Sequence, residues 1–140
     1  MIARLGNVET IHVPLAEAGV TGKVDAVVTA LNLHDIYNGF GNQPAGEGPA
    51  VEFVKAIYAV LKPGGVLGVI DHVGIAGQDN AKLHRMLPQQ ARDVLTKAGF
   101  KIEAESTLLA NPADDHTKVV FDPSVRGHTD QLLFRARKPR

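Results

Sequence analysis

The apolar positions change period several times along the chain, and each change marks an element. VDAVVTALNL, Val24 to Leu33, is almost continuous in apolar and β-branched residues, the pattern of a strand buried on both faces of a parallel sheet. Ahead of it VETIHVPL, Val8 to Leu15, is β-prone but contains a proline. Lacking an N–H for the ladder, proline restricts such a run to an edge strand or a strand end. Val51, Val54, Ile57, Tyr58 and Leu61 recur at helical spacing, with Pro49 near the start and Lys62-Pro63-Gly64-Gly65 as the stop. VLGVID, Val66 to Asp71, then reads as a second buried strand ending in the polar pair Asp71-His72. Leu87, Ala91, Val94, Leu95 and Ala98 form another helical stripe, opened by Pro88 and closed by Gly99.

Lys101 to Leu109 predicts a third strand and Gln131 to Lys138 a fourth, with Leu132, Phe134 and Ala136 alternating against Leu133, Arg135 and Arg137. These two are expected to pair as an antiparallel hairpin. Its connection, Ala110 to Thr129, is long and poor in secondary-structure signal, as functional loops in compact domains are. Asn38 to Pro49 is a second, turn-rich loop. The order strand, helix, strand, helix predicts crossover units and an α/β sheet.

Composition narrows the function without naming it. The 140 residues suit a single domain, 1–140. Fifteen Lys and Arg balance fifteen Asp and Glu, so no electrostatic footprint for nucleic acid or an anionic membrane is present, and a neutral small molecule or a protein is the expected partner. The absence of cysteine excludes disulfides, thiolate nucleophiles and Cys-ligated zinc. No apolar run reaches the length of a leader's hydrophobic segment or a membrane span, so a cytoplasmic location is expected.

In an open α/β sheet, ligands bind outside the carboxyl ends of the strands. The first buried run ends in Asn32, His34 and Asp35, with Tyr37 and Asn38 just beyond, and the second ends in Asp71 and His72. His84 and Arg85 precede the second helix, and Asp114, Asp115 and His116 stand in the long loop. Ligand chemistry for a metal is present across His34, Asp35, Asp71, His72, His84, Asp114, Asp115 and His116. No pair of them has i, i+4 spacing, however, and they come from four separate segments, so no metal site is read from the sequence.

Several phrases carry a resemblance: NLHDIYN (Asn32 to Asn38), LKPGGVLGVIDH (Leu61 to His72), LHR (Leu83 to Arg85), KAGF (Lys97 to Phe100) and NPADDHTKVVFDPSVRGHTDQ (Asn111 to Gln131). Together with the element order, they resemble the second half of the class I S-adenosylmethionine-dependent methyltransferases, and among these a family of bacterial predicted methyltransferases. The resemblance implies a partial Rossmann-like sheet, mainly parallel with an antiparallel C-terminal hairpin, running from the third strand of the parent fold to its C-terminus. The parent's glycine-rich cofactor turn and its ribose-binding acidic residue would lie before this stretch, so the resemblance implies a truncated form of the parent fold.

Methyl transfer from a sulfonium needs a positioned nucleophile and, where the acceptor carries one, removal of a proton. Within the resemblance, S-adenosylmethionine would lie against Ala30, Leu31 and Asn32. His34 or His72 could act as the base, with Asp35 orienting an imidazole; Asn32, Tyr37, Asn38, Arg85, Asp115 and His116 would surround the acceptor. Arg85 would pair with a carboxylate of the substrate or of Asp71. Asp35 as a cap and His72 as a partner of nearby backbone are the structural alternatives. Three functions follow: a methyltransferase acting on a small molecule, a truncated non-catalytic domain that binds a partner or forms a homodimer through an exposed sheet edge, or, were the histidine and carboxylate ligands gathered on a metal, a metal-dependent hydrolase or oxygenase.

Overall fold

The computed structural model describes residues 5–140, so the first four positions of the segment read for a leader lie outside the described residues. The elements in order are β1 (Val24–Ala30), α1 (Leu33–Asn38), α2 (Glu47–Val60), β2 (Leu61–His72), α3 (Asn80–Leu83), α4 (Pro88–Lys97), β3 (Lys101–Ser106) and β4 (Gln131–Arg137). They form one four-stranded sheet of order β1-β2-β4-β3.

The hairpin expectation holds, because β3 and β4 pair antiparallel. The mainly parallel sheet does not. β4 lies reversed between β2 and β3, so β1–β2 is parallel while β2–β4 and β3–β4 are antiparallel. β1, β2 and β3 still point the same way, as helical crossovers require, and the reversed strand between the last two changes the pairing. The helix stop Lys62-Pro63-Gly64-Gly65 lies within β2. Val24 pairs with Leu61 and Ala26 with Val66, so these four residues bulge from the ladder. Gly65 cannot carry a side chain there, since a Cβ would stand 2.9 Å from the Lys62 carbonyl oxygen.

Alternation along β2 turns Leu67, Val69 and Asp71 to one face, where all three are buried. That face carries the core. Leu67 and Val69 pack with Val54 and Ile57 of α2, Ala91, Val94 and Leu95 of α4, and Leu132, Phe134 and Ala136 of β4. Full burial of a Val, Leu or Phe contributes about 1.5–3 kcal/mol each, so this layer dominates the stability. Helix α4 starts as its sequence dictates: Pro88 occupies the first turn, and the Leu87 N–H donates to the Gln90 side chain at 2.9 Å.

Two expectations fail at the N-terminal side. Val8 to Leu15 makes no strand; Val8, Ile11 and Val13 are exposed, and after Pro14 the chain forms a 3-10 turn over Leu15–Glu17. A β-prone run without a neighbouring strand has no ladder to join. Nor is Val24 to Leu33 one strand buried on both faces. β1 ends at Ala30, Leu31 adopts a left-handed φ of 58°, and α1 begins at Leu33. β1 is also an edge of the sheet, with Val28 70% exposed.

Candidate active site

The parallel pairing Ala30↔Ile70 brings the carboxyl ends of β1 and β2 side by side. Past β1, the Thr29 hydroxyl bonds to the Asn32 side chain and the Leu31 turn feeds directly into α1. Leu33 and His34 are consequently buried, the first in the core and the second against the end of β2.

Asp71 occupies a core-facing position of β2 and has no exposed surface. A carboxyl group placed there must be satisfied locally. It receives the His34 backbone N–H at 2.8 Å, the His72 backbone N–H at 2.8 Å and the His34 ring at Nδ1, 2.6 Å away. A carboxylate only accepts, which assigns the proton of the last contact to Nδ1. The other ring nitrogen, Nε2, lies on the far side of the imidazole, where the neutral ring would present a lone pair. There it lies 3.2 Å from Asp35 Oδ1, and the same oxygen lies 3.1 Å from Nδ1 of His84. His72 completes the group: its ring centroid is 5.4 Å from that of His34, and its Nδ1 contacts the Thr129 hydroxyl at 2.6 Å. Burial pushes the His72 pKa down to about 4, against the attraction of Asp71. His72 is therefore neutral at ordinary pH and a weak proton acceptor.

A second buried charge cluster adjoins the first. Arg85 is fully buried and pairs in two-pronged fashion with Asp114, at 2.8 and 3.1 Å. It also donates to the carbonyls of Val73, at 2.9 Å, and Lys118, at 3.1 Å. Burial alone would raise the Asp114 pKa, but hydrogen bonds from Arg85 and from the backbone N–H groups of Asp130 and His116 outweigh it and hold the carboxyl below its usual range. Through these bonds Arg85 fastens the long connection between β3 and β4 to the end of β2.

The expected site residues therefore divide. His34, Asp35 and His72 come together, at the edge where Ala30, Leu31 and Asn32 are exposed. Arg85 takes the carboxylate of Asp114 instead of Asp71 or a ligand. Asn38 donates to the Arg85 carbonyl at 2.9 Å, and Tyr37 packs against the core. Asp115 accepts from the Thr117 backbone and hydroxyl, while His116 pairs with Asp130 at 2.8 Å, so both hold the loop's own shape. The sequence reading gave no catalytic part to Asp71 or His84, which the fold places at the centre. One signal was present: a carboxylate at a core-facing position of an apolar strand.

A cleft of about 270 Å³ opens beside the cluster, lined by Asp35, Ile36, Phe40, Gln43, Pro44 and Pro49. Asp35 is the residue shared by cleft and cluster. A larger hollow of about 410 Å³ at the base of the long loop reaches the cluster only through Thr129. It offers no acid–base group beyond the exposed His128.

No family model matches the chain, and no curated protein matches it by sequence. Solved structures do. The Burkholderia thailandensis 1,6-didemethyltoxoflavin-N1-methyltransferase, with its substrate and S-adenosylhomocysteine bound, superposes with a TM-score of 0.56 at 16% identity, covering 93% of this chain and 50% of its own. A methyltransferase structure from Bacillus halodurans gives 0.58 at 17% identity, over 95% of this chain and 78% of the other. The chain has part of the S-adenosylmethionine-dependent methyltransferase fold. This partial methyltransferase fold also superposes on the [4+2]-cyclase SpnF, with a TM-score of 0.60 at 21% identity over 91% of this chain and 54% of that one. The chain thus spans about half the length of SpnF and of the Burkholderia enzyme. One fold carrying both a methyltransferase and a cyclase leaves the activity to be argued from the site. Among the described residues, no helix is long and apolar enough to cross a membrane.

Proposed function

We propose that this chain supplies the acceptor-binding part of an S-adenosylmethionine-dependent methyltransferase acting on a small molecule. One observation carries the reading. At the carboxyl edge of the parallel β1–β2 pair, buried Asp71 pins His34 by backbone and ring, so that its free nitrogen faces Asp35 beside a cleft. Such an edge is where open α/β sheets receive their ligands. An acceptor hydroxyl or amine in the cleft would lose its proton to the His34–Asp35–His84 group as the methyl is transferred, with no proton needed by the departing thioether. The methyl donor would lie along Ala30, Leu31 and Asn32. Neutral His72 would fill the rim beside His34, and Arg85 would act as a positioning residue through Asp114.

The test is an amide NMR titration with S-adenosylhomocysteine. We expect weak binding, with shifts confined to residues 30–35 and 71–74. Shifts elsewhere only, or none at millimolar ligand, would remove the proposal. A second reading, a methyltransferase-like domain whose role is association, is favoured by the open β1 edge with Val28 70% exposed. A row of unpaired backbone groups on an apolar strand is a template for a second copy. Sedimentation of the same samples separates the readings, because a homodimer formed through β1 would double the mass.

A further inference from the structure

We propose that His34 Nε2, Asp35 and His84 Nδ1 form the site of one divalent transition-metal ion of the zinc class. This deepens the reading of the cluster as the place of the acceptor and rests on that reading for the ion's purpose, though not for its binding. The three ligand atoms lie within 4.8 Å of one another although they come from two elements far apart in sequence. The fold thereby removes the objection that spacing raised against a metal.

Hydrogen-bond accounting points the same way. With the Nδ1 proton of His34 given to Asp71, Nε2 faces the Asp35 oxygen across 3.2 Å as one acceptor against another. A cation between the two atoms satisfies both, as a proton on Nε2 also would, and the zinc titration below separates the two. Metal-ligating histidines characteristically give their second ring nitrogen to a carboxylate, which fixes the tautomer and ring orientation. Asp71 does this for His34, and it holds the backbone of the same residue as well. The site is also reachable: Asp35 and His84 are 31% and 29% exposed in their side chains, and Asp35 lines the cleft.

The dimensions suit a small ion. With bonds of about 2.1 Å, the two edges of 3.2 and 3.1 Å would subtend roughly 100° at the metal, between tetrahedral and octahedral values. The two imidazole nitrogens lie within 4.8 Å of each other, and rotation of the partly exposed His84 ring would bring them to a tetrahedral edge of about 3.4 Å. Two imidazoles with one carboxylate favour zinc, cobalt, nickel or iron(II) over magnesium or calcium. Three protein ligands leave a position open towards the cleft, where a hydroxyl or amine of the acceptor would coordinate and pass its proton to the second Asp35 oxygen or to water in the cleft. The acceptor class is therefore one with a metal-coordinating oxygen or nitrogen at the methylated atom.

The test uses the full 140-residue chain, stripped with chelator and titrated with zinc alone by calorimetry. The expected result is one equivalent bound at micromolar or tighter affinity, with no response to millimolar magnesium. Asp35→Asn and His84→Ala should each weaken zinc binding at least 10-fold, while His128→Ala, at an exposed histidine, leaves it unchanged. Absence of saturable binding, or one-equivalent binding that survives both substitutions, would overturn the site. Should either variant fail to fold, X-ray absorption of the zinc-loaded wild type decides: a shell with two imidazoles supports the proposal and any other count refutes it. No methyl donor is present in these measurements, so failure of the methyltransferase reading leaves their outcome standing.

Discussion

Two buried charge clusters sit side by side at the end of β2, and they differ in what they leave unsatisfied. Around Arg85, four hydrogen bonds to Asp114, Val73 and Lys118 engage all three guanidinium nitrogens, and Asp114 receives two further backbone N–H groups. Around Asp71, the carboxylate accepts three hydrogen bonds, but its partner His34 directs its second ring nitrogen at another, partly exposed carboxylate, Asp35. A network closed in the interior fixes structure, whereas one that ends on a ring nitrogen and a carboxylate beside a cleft can still take a partner. Depth of burial does not separate the two, since Arg85 and Asp71 are both fully buried.

The sharpest way to break the closed cluster is Arg85→Ala, which strands Asp114 in the interior. Loss of one partner from a buried pair typically costs about 3–5 kcal/mol, and urea denaturation should show a loss of that size. A loss under 1 kcal/mol would mean that the clamp is not what holds the long loop.

The open cluster should reveal itself through pH. The His72 pKa is held at about 4 in the folded chain against the ordinary histidine value of 6.5, so between these limits the unfolded chain binds more protons than the folded one. Stability contributed by neutral His72 is thus present above pH 6.5 and is lost as pH falls towards 4. The slope is about 1.4 kcal/mol per pH unit, for a total of roughly 3 kcal/mol. Denaturation of the wild type and of His72→Asn at pH 7, 6, 5 and 4 isolates the effect. Parallel curves would show that burial does not control this imidazole.

The smallest effect is expected from a matched control. Arg92 holds Glu105 with two bonds of 2.7 and 2.8 Å, as short as those of Arg85 to Asp114, but both side chains are more than a third exposed. Solvent screening limits such pairs to under about 1 kcal/mol, and Glu105→Gln should stay within that bound in the same denaturation assay. A cost approaching that of Arg85→Ala would undo the argument that burial, not bond geometry, sets the value of the clamp.

What could be read from the sequence follows from how local each signal is. Helices α2 and α4 and strands β3 and β4 are visible because their apolar spacing is local and strong. The end of β1 is not, since Leu31 turns the chain inside an apolar run and a periodic pattern holds no record of one left-handed residue. The reversed position of β4 depends on which strand it meets, a matter of packing across more than sixty residues. At the site, His34 and His72 stood out because they follow apolar strands. The pairing of Arg85 with Asp114, 29 residues apart, and the meeting of His34 with His84 exist only in three dimensions. The Val8 to Leu15 run shows the converse, in which local propensity without a neighbour produces no strand.

The place of β4 between β2 and β3 also sets an order of events during synthesis. Those two strands share no ladder of their own and are joined only through residues 131–137. A ribosome that has delivered β3 must add ~30 more residues before the bridging strand exists, about 2–6 s at 5–20 residues per second. Throughout that interval the nascent chain carries two unsealed strand borders and an incomplete apolar layer, lacking Leu132, Phe134 and Ala136. The apolar layer is thus most exposed just before β4 emerges, and translation pauses within the long loop would lengthen that exposure.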